Sequence, residues 1–393
     1  MYPNLYYLFK DLFHIDIPFL KIVNSFGFFV ALSFLIAAWV LTKELKRKEA
    51  NGEFTFTESK EITGAPAKTS ELLLNFFLGF IFGFKIIGVL ILPGALDNPQ
   101  GFIFSSQGSW LAGIGLGLFF TWLKWREKNK SKVAKPVEKI VRVWPSDRVG
   151  DIVIISAVAG FVGAKIFDNL ENWNRFIQDP IGNLISPSGL TFYGGLIVAT
   201  LVLWYYFSKR KIPFIKIADA AAPALMLAYG LGRIGCQVAG DGDWGIVNTF
   251  PKPFSWMPDW FWAFDYAHNV NGEGIPIPGC TWGEYCFKLP QAVFPTPLYE
   301  IIAALIIFAI LWSIRKKIKY AGRMFAVYLI LNGIERFFIE LIRVNTKYSI
   351  FGIHPTQAEL IAGFLVIAGI ILYAYSPKMA VNRELYKKIK ISK

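Results

Sequence analysis

Long, nearly unbroken runs of apolar residues dominate this chain, more continuous than the core segments of an ordinary soluble domain. A helix needs about 20 apolar residues to cross a hydrocarbon core of about 30 Å. Candidate segments lie near 22–42, 71–92, 106–124, 151–167, 190–207, 217–236, 297–314, 323–342 and 357–375. Two of them, 151–167 and 190–207, are slightly short, and 217–236 is interrupted by Gly230, Gly232, Arg233 and Gly235. The pattern predicts an all-α polytopic integral membrane protein with about nine transmembrane helices.

Composition agrees, with 54% hydrophobic residues, 18% charged residues and a mean hydropathy of +0.43 over 393 residues. The net charge of +13 would suit a nucleic-acid surface only if the basic residues shared one folded face. They do not. Of the 41 Lys and Arg, 29 fall in 43–70, 125–150, 208–216, 315–323 and the tail from Ser376, and seven fall in the intervening segments. Lys and Arg concentrate in cytoplasmic loops, so the N-terminus is expected outside and the C-terminus in the cytoplasm. No nucleic-acid partner is expected.

This divides the chain into an outer amphipathic segment (1–21), a first span (22–42), basic loops with two extra spans (43–150), core spans (151–236), an outer cap (237–296), further core spans (297–375) and a basic tail (376–393). The cap is rich in Trp and Phe, which favour the headgroup zone. Residues 4–13 predict an interfacial helix on the same side. The N-terminus shows neither a basic n-region nor a small-residue cleavage site, so no signal peptide is expected. Cys280 and Cys286 both lie in the cap, where an oxidised pair and two separate thiols are both open. The three cysteines and three histidines lack metal-ligand spacing, so neither metal nor cofactor is expected. Gly79–Ile86 and Gly160–Ile166 echo one another, by duplication or by chance.

Ionisable groups at membrane depth are costly and mark candidate sites. Gly230-Leu231-Gly232-Arg233-Ile234-Gly235-Cys236 leads into Asp241-Gly242-Asp243-Trp244-Gly245. A guanidinium among glycines offers a planar fork for a phosphodiester; a structural arginine paired at a helix end is the alternative. Arg336, Glu340 and Arg343 follow i, i+4, i+7 spacing within Glu335–Arg343, so one helix face carries plus, minus, plus. A structural ion pair, with Arg343 snorkelling to the interface, is the competing account. Tyr193-Gly194-Gly195 opens one span, where Tyr193 is either a headgroup contact or an interface-belt residue. Pro297-Leu298-Tyr299-Glu300 opens another, where Glu300 also suits a helix N-terminus.

Taken in order, Tyr-Gly-Gly-Leu, Gly-Leu-Gly-Arg-Ile-Gly, Leu-Tyr-Glu and Arg-Phe-Phe-Ile-Glu-Leu-Ile-Arg resemble the prolipoprotein diacylglyceryl transferase family across about 20–42 and 150–375. The resemblance implies a seven-helix core plus two helices, in the bacterial inner membrane with the site toward the outer leaflet. It implies transfer of the sn-1,2-diacylglyceryl group from phosphatidylglycerol to the lipobox cysteine of preprolipoproteins, releasing glycerol 1-phosphate. Membrane lipids and the signal peptides that carry the lipobox are the implied partners. Carried over residue by residue, it assigns catalytic roles to Arg336, Glu340 and Tyr193. Substrate-binding roles fall on Arg233, Gly194, Gly195, Gly235, Asp241, Asp243, Gly245, Arg343, Tyr299 and Glu300. The acidic position of the signature falls on Asp241 or Asp243. This chain has Tyr193 where many members have His, Cys236 where many have Asn, and Phe26 for a common Tyr. The first of these removes the imidazole that a His-base mechanism needs. A transporter or flippase of an anionic lipid or small anion is the competing class, because it too uses intramembrane arginine and glycine-broken helices.

Overall fold

The computed structural model describes all residues except 97, 134–135, 187–188, 350–351 and 392–393, and omits the side chains of 61, 100, 185 and 379–391. Ser188, next to the Tyr-Gly-Gly motif, and the end of the basic tail therefore lie outside the described residues. In chain order the elements are α1 (Leu5–Phe13), α2 (Ser25–Ala50), β1 (Thr57–Thr63), α3 (Thr69–Ile91), α4 (Trp110–Lys130), β2 (Val137–Val143), α5 (Val149–Glu171), α6 (Phe192–Lys209), α7 (Phe214–Ala239), β3 (Ile275–Pro276), β4 (Phe287–Lys288), α8 (Thr296–Ile314), α9 (Arg323–Glu340) and α10 (Gln357–Ile391).

The chain is mostly helical, and six helices among the described residues are long and apolar enough to cross a membrane: Ser25–Ala50, Thr69–Ile91, Pro145–Glu171, Phe214–Ala239, Thr296–Ile314 and Gln357–Lys378. The remaining three expected spans are also helices, but less apolar. Lys124, Arg126 and Glu127 interrupt α4, α6 is 18 residues long and ends on Lys209, and α9 carries Glu335, Arg336 and Glu340. Large apolar side chains such as Leu35, Leu74, Leu111 and Phe364 point outward at 59% exposure or more. A soluble monomer rarely shows so much apolar surface.

Two compact units are distinguished. The first comprises Met1–Tyr7, Asn24–Phe54 and Trp204–Lys393. Its axis is α7, in which 56% of the apolar stretch is buried, against 17–28% in the other spans. Small residues explain this. Gly230 lies so close to α8 that a Cβ would stand 2.9 Å from the Ala304 Cβ. Gly235 faces α2, where a Cβ would stand 3.1 Å from the Phe26 carbonyl oxygen. Close backbone approach of this kind drives helix packing in lipid, where apolar burial gives no net gain. The chain leaves α7 through Gly240 at φ +64°, a left-handed cap that glycine adopts readily. At its other end, buried Asp219 accepts hydrogen bonds from the Gly322 and Phe325 amides at 2.6 and 2.9 Å, which caps α9 from a neighbouring helix.

The expected cap is a folded lobe with its own apolar cluster of Trp244, Tyr266, Leu289 and Val293. Buried Asn269 donates to the Tyr266 and Glu273 carbonyls, β3 pairs with β4, and Cys280 and Cys286 form a disulfide. The start of the chain is fastened to this lobe: the Met1 amine donates to the Ala267 carbonyl at 2.6 Å, and Tyr7 stacks on Trp282 at 4.3 Å.

The second unit comprises Leu8–Val23 and Thr55–Leu203. Within it α3 packs on α4, and α5 crosses the start of α6 through Gly163, Gly194 and Gly195. The stretch expected as basic loops differs from expectation in part. Residues 57–63 and 137–143 pair antiparallel, Thr57 with Val143 through Thr63 with Val137. β-Branched residues are interspersed with charges there, so an exposed two-stranded ribbon forms without a core of its own. It brackets the α3–α4 hairpin.

Asp219→Ala removes a buried acceptor from two helix-end amides. It should lower stability by about 1–2 kcal/mol, read as a reduced thermal midpoint of the detergent-solubilised protein.

Candidate active site

The site forms where α7, α8 and α9 end together, and a carboxylate organises it. Glu300, one turn into α8, is fully buried. Its Oε1 accepts from the Tyr229 hydroxyl and from Arg336 Nη1, each at 2.9 Å, and lies 3.7 Å from Arg343 Nη1. Its Oε2 is 3.1 Å from Arg233 Nε. One carboxylate thus meets three guanidinium groups contributed by α7, α9 and the segment after α9. Glu340 joins through Arg336 Nη2 at 3.0 Å, and Asn345 donates to Glu340.

A third carboxylate closes the ring. Asp243 bridges Arg233 Nη1 through Oδ2 and Arg343 Nη2 through Oδ1. The backbone makes this possible: the Gly245 amide donates to the Phe294 carbonyl at 2.8 Å, the Ile246 amide to the Ile342 carbonyl at 2.8 Å, and Gly245 pairs with Arg343. A Cβ at Gly245 would meet the Ile342 oxygen at 2.5 Å. Thr296 Oγ1 then donates to the Asp243 carbonyl at 2.6 Å. Burial pushes the Asp243 carboxyl upward, but the two arginines outweigh it and hold the group below the usual carboxylate range. Burial, reinforced by the neighbouring Asp243 charge, raises Asp241 instead. The two aspartates, equivalent in sequence, are therefore distinguished by their surroundings: Asp243 bridges the arginines.

Six of the predicted residues, Arg233, Asp243, Glu300, Arg336, Glu340 and Arg343, thus form one ionic network, with Asp241 and Gly245 beside it. Gly235 faces α2 instead. Tyr299 donates to the Phe261 carbonyl at 2.8 Å and ties α8 to the cap. Tyr193, Gly194 and Gly195 belong to the second unit, where Gly194 and Gly195 form the α5–α6 crossing. Sequence reasoning missed Tyr229 as a member and Glu335 as a buried neighbour. Tyr229 was legible as the i−4 neighbour of Arg233 on one helix face. Glu335 is 7% exposed, and neither carboxylate oxygen has a hydrogen bond among the described residues. Cys236, Asp241 and Asp243 place ligand atoms within 4.8 Å of one another. Arg233 and Arg343 already occupy Asp243, however, so two positive groups oppose a cation there. Among the described residues no histidine bonds to the network; His268 Nδ1 faces the Tyr285 carbonyl at 3.0 Å in the cap.

The sequence model of the family described as prolipoprotein diacylglyceryl transferase matches residues 109–375, more than half of the chain. The chain belongs to that family. The phosphatidylglycerol–prolipoprotein diacylglyceryl transferase of Corynebacterium efficiens is 31% identical over 230 residues, which cover 57% of this chain and 66% of the relative, just under two thirds of its length. The protein of that name from Chlorobaculum tepidum is 28% identical over 244 residues, 58% of this chain and 73% of the relative. The matched segment contains α7, α8 and α9, and hence the whole ionic network of this family member.

Removing the central carboxylate leaves three buried cations without their shared partner. Glu300→Ala should destabilise the protein by about 3–5 kcal/mol. Combined with Arg233→Ala, the loss should be well below the sum of the single changes, as a double-mutant cycle on thermal unfolding in detergent would show.

Proposed function

We propose that this chain transfers the sn-1,2-diacylglyceryl group of phosphatidylglycerol to the lipobox cysteine of a preprolipoprotein, at the outer leaflet of a bacterial inner membrane. Family membership supports the reaction, and the single observation that carries the site is the set of three arginines gathered on Glu300. The 29 alternately placed Lys and Arg support nine spans with the N-terminus outside, which puts the cap and the arginine network on the outer side.

The chemistry asks little else of the protein. The substrate thiol loses its proton, and its sulfur attacks the glyceryl carbon bonded to the phosphate oxygen. The S–C bond forms, the C–O bond breaks, and its electron pair leaves on glycerol 1-phosphate. Positive charge favours the thiolate, and preorganised guanidinium groups stabilise the phosphate as it gains charge. In the ion pairs of the network, with Asp241 and Glu335 outside them, three arginines face three carboxylates. Asp243 is the most exposed of these carboxylates, at 32% of its side chain, whereas those of Glu300 and Glu340 are fully enclosed. An entering headgroup phosphate therefore replaces Asp243 on Arg233 and Arg343, while Glu300 keeps the guanidinium groups in place. Tyr193 orients the headgroup or the thiol in this reading, in place of the family imidazole.

Purified protein given labelled phosphatidylglycerol and a lipobox peptide should yield a thioether-linked diacylglyceryl peptide. Lipid crossing vesicles without covalent transfer would instead favour the transporter class. Arg233→Ala should abolish transfer, and Arg233→Lys should restore little of it because the planar fork is lost. An unaffected rate in Arg233→Ala would remove this residue from the site. In the same assay Tyr193→Phe should lower kcat by about 10²-fold or less; full activity would exclude a role for the hydroxyl.

A further inference from the structure

The echo between Gly79–Ile86 and Gly160–Ile166 extends, in the structure, to a register of contacts. The Ser109 amide donates to the Phe84 carbonyl at 2.9 Å, and the Thr191 amide to the Ala164 carbonyl at 3.1 Å. Ser109 and Thr191 each immediately precede the second helix of their hairpin, α4 and α6. The next residue on each first helix is a lysine, Lys85 or Lys165, 80 positions apart. Lys85 Nζ donates to the Phe102, Ser105 and Gln107 carbonyls of the loop, the first at 3.3 Å and the last at 2.6 Å. Lys165 Nζ, on a residue 5% exposed, donates to the Gly189 carbonyl at 3.4 Å. Two positions before each lysine is a glycine that lets the second helix in. A Cβ on Gly83 would strike the Ala112 carbonyl oxygen, and one on Gly163 would lie 2.6 Å from that of Gly194.

The loops match as well. Asn98-Pro99-Gln100-Gly101 and Asp179-Pro180-Ile181-Gly182 both start a short helix with proline at its first position. In each, the leading side chain accepts from the glycine amide, at 2.8 and 2.9 Å. Ser105 and Gly108 stand where Ser186 and Gly189 do, 81 positions on (105 to 186, 108 to 189). Backbone hydrogen bond, lysine, glycine contact and capped loop recur in the same order. These matches favour duplication over chance similarity between Gly- and Phe-rich spans.

We propose that residues 69–130 and 149–203 are two copies of one helix–loop–helix module, and that Lys165 is a positioning residue for Tyr193. A buried ammonium needs acceptors, and loop carbonyls that have left helical geometry need donors. The lysine answers both needs and pins the loop to the first helix just before the second begins. In the later copy this fixes the first turn of α6, where Tyr193 stands. In the earlier copy the corresponding residue (111 to 193, as 112 to 194) is Leu111, 87% exposed and without a hydroxyl. Lys85 therefore performs the same mechanical task with no reacting group attached, and the segment 69–130 is a copy of the core hairpin that lacks its site residue. The family match begins at residue 109, so α3 and its loop lie outside it.

The role given to Lys165 rests on the transferase reading, so its test has an arm that does not. Hydrogen exchange is measured by mass spectrometry on the full-length protein in phosphatidylglycerol-containing nanodiscs. Lys165→Met should speed exchange of the amides around 189–194 about tenfold or more, and Lys85→Met should do the same around 105–112. In the transfer assay, Lys165→Met should lower kcat on the order of tenfold to a hundredfold, with KM for the lipid little changed. Lys165→Arg should return most of that loss, and Lys85→Met should keep the parental kcat. If Lys165→Met is not recovered folded, Lys165→Gln is read in the same way. Unchanged exchange at either loop overturns the shared module. Equal effects of the two lysine changes on kcat, or no effect of Lys165→Met, overturn the positioning role. If the parental protein transfers nothing, the transferase reading and the role of Lys165 fall together, and the exchange arm still decides the module.

Discussion

Three guanidinium groups do not share one buried corner unless something holds them there. At an effective dielectric of about 20, two unit charges 5 Å apart repel by about 3 kcal/mol, and three such pairs would open the ends of the helices that carry them. Glu300 reverses the sign of that problem. It contacts Arg233, Arg336 and Arg343 at once, and Tyr229 adds a donor to the same oxygen that Arg336 uses. α7, α8 and α9 therefore converge because one carboxylate requires partners from all of them. Gly230 permits the approach of α7 to α8 that this convergence demands, and Gly240 and Gly245 let the chain turn back so that Asp243 can close the ring.

Much of this was legible along the chain, and the reason is the cost of charge in lipid. An Arg or Glu inside an apolar run stands out because hydrocarbon offers it no solvation, so Arg233, Arg336 and Glu340 stand out in the sequence as candidates, and the structure brings them into one ionic network. The helices were visible for the same reason. Each backbone polar group in a bilayer must be satisfied within its own segment, which leaves helix as the solution for an apolar run of this length. Glu300 was visible only as a residue that suits a helix N-terminus. Its central place depends on where α7 and α9 end, which is tertiary information. The choice between Asp241 and Asp243 was closed to sequence because it rests on the turn made at Gly240 and Gly242 and on the pairing of Gly245 with Arg343.

Segments outside the membrane were less legible. The cap showed its aromatic residues but not the cluster around Tyr266, nor that Cys280 and Cys286 pair, because six residues of separation permit a bond without requiring one. The ribbon of 57–63 with 137–143 was read as basic loop. Two exposed strands with no apolar face carry only a weak alternation signal, and their partnership spans an entire helical hairpin.

That ribbon bears on the α3–α4 hairpin. A pair of strands held in register on either side of α3 and α4 keeps the ends of that hairpin together, so the hairpin adds little loop-closure entropy to the rest of the chain. The α3–α4 hairpin repeats the glycine crossing, the lysine and the capped loop of the hairpin that follows, and has Leu111 where the later one has Tyr193. Mechanical parts kept in both copies and a polar group kept in one separate what the hairpin needs in order to fold from what the reaction needs from it. Glycine and lysine serve the first, since both copies have them at the same contacts. The backbone hydrogen bond that starts the second helix forms in the earlier copy with Leu111 in place of Tyr193, so that bond does not require the hydroxyl, and the reading of Tyr193 as a group that serves the reaction is the one that separates the two copies.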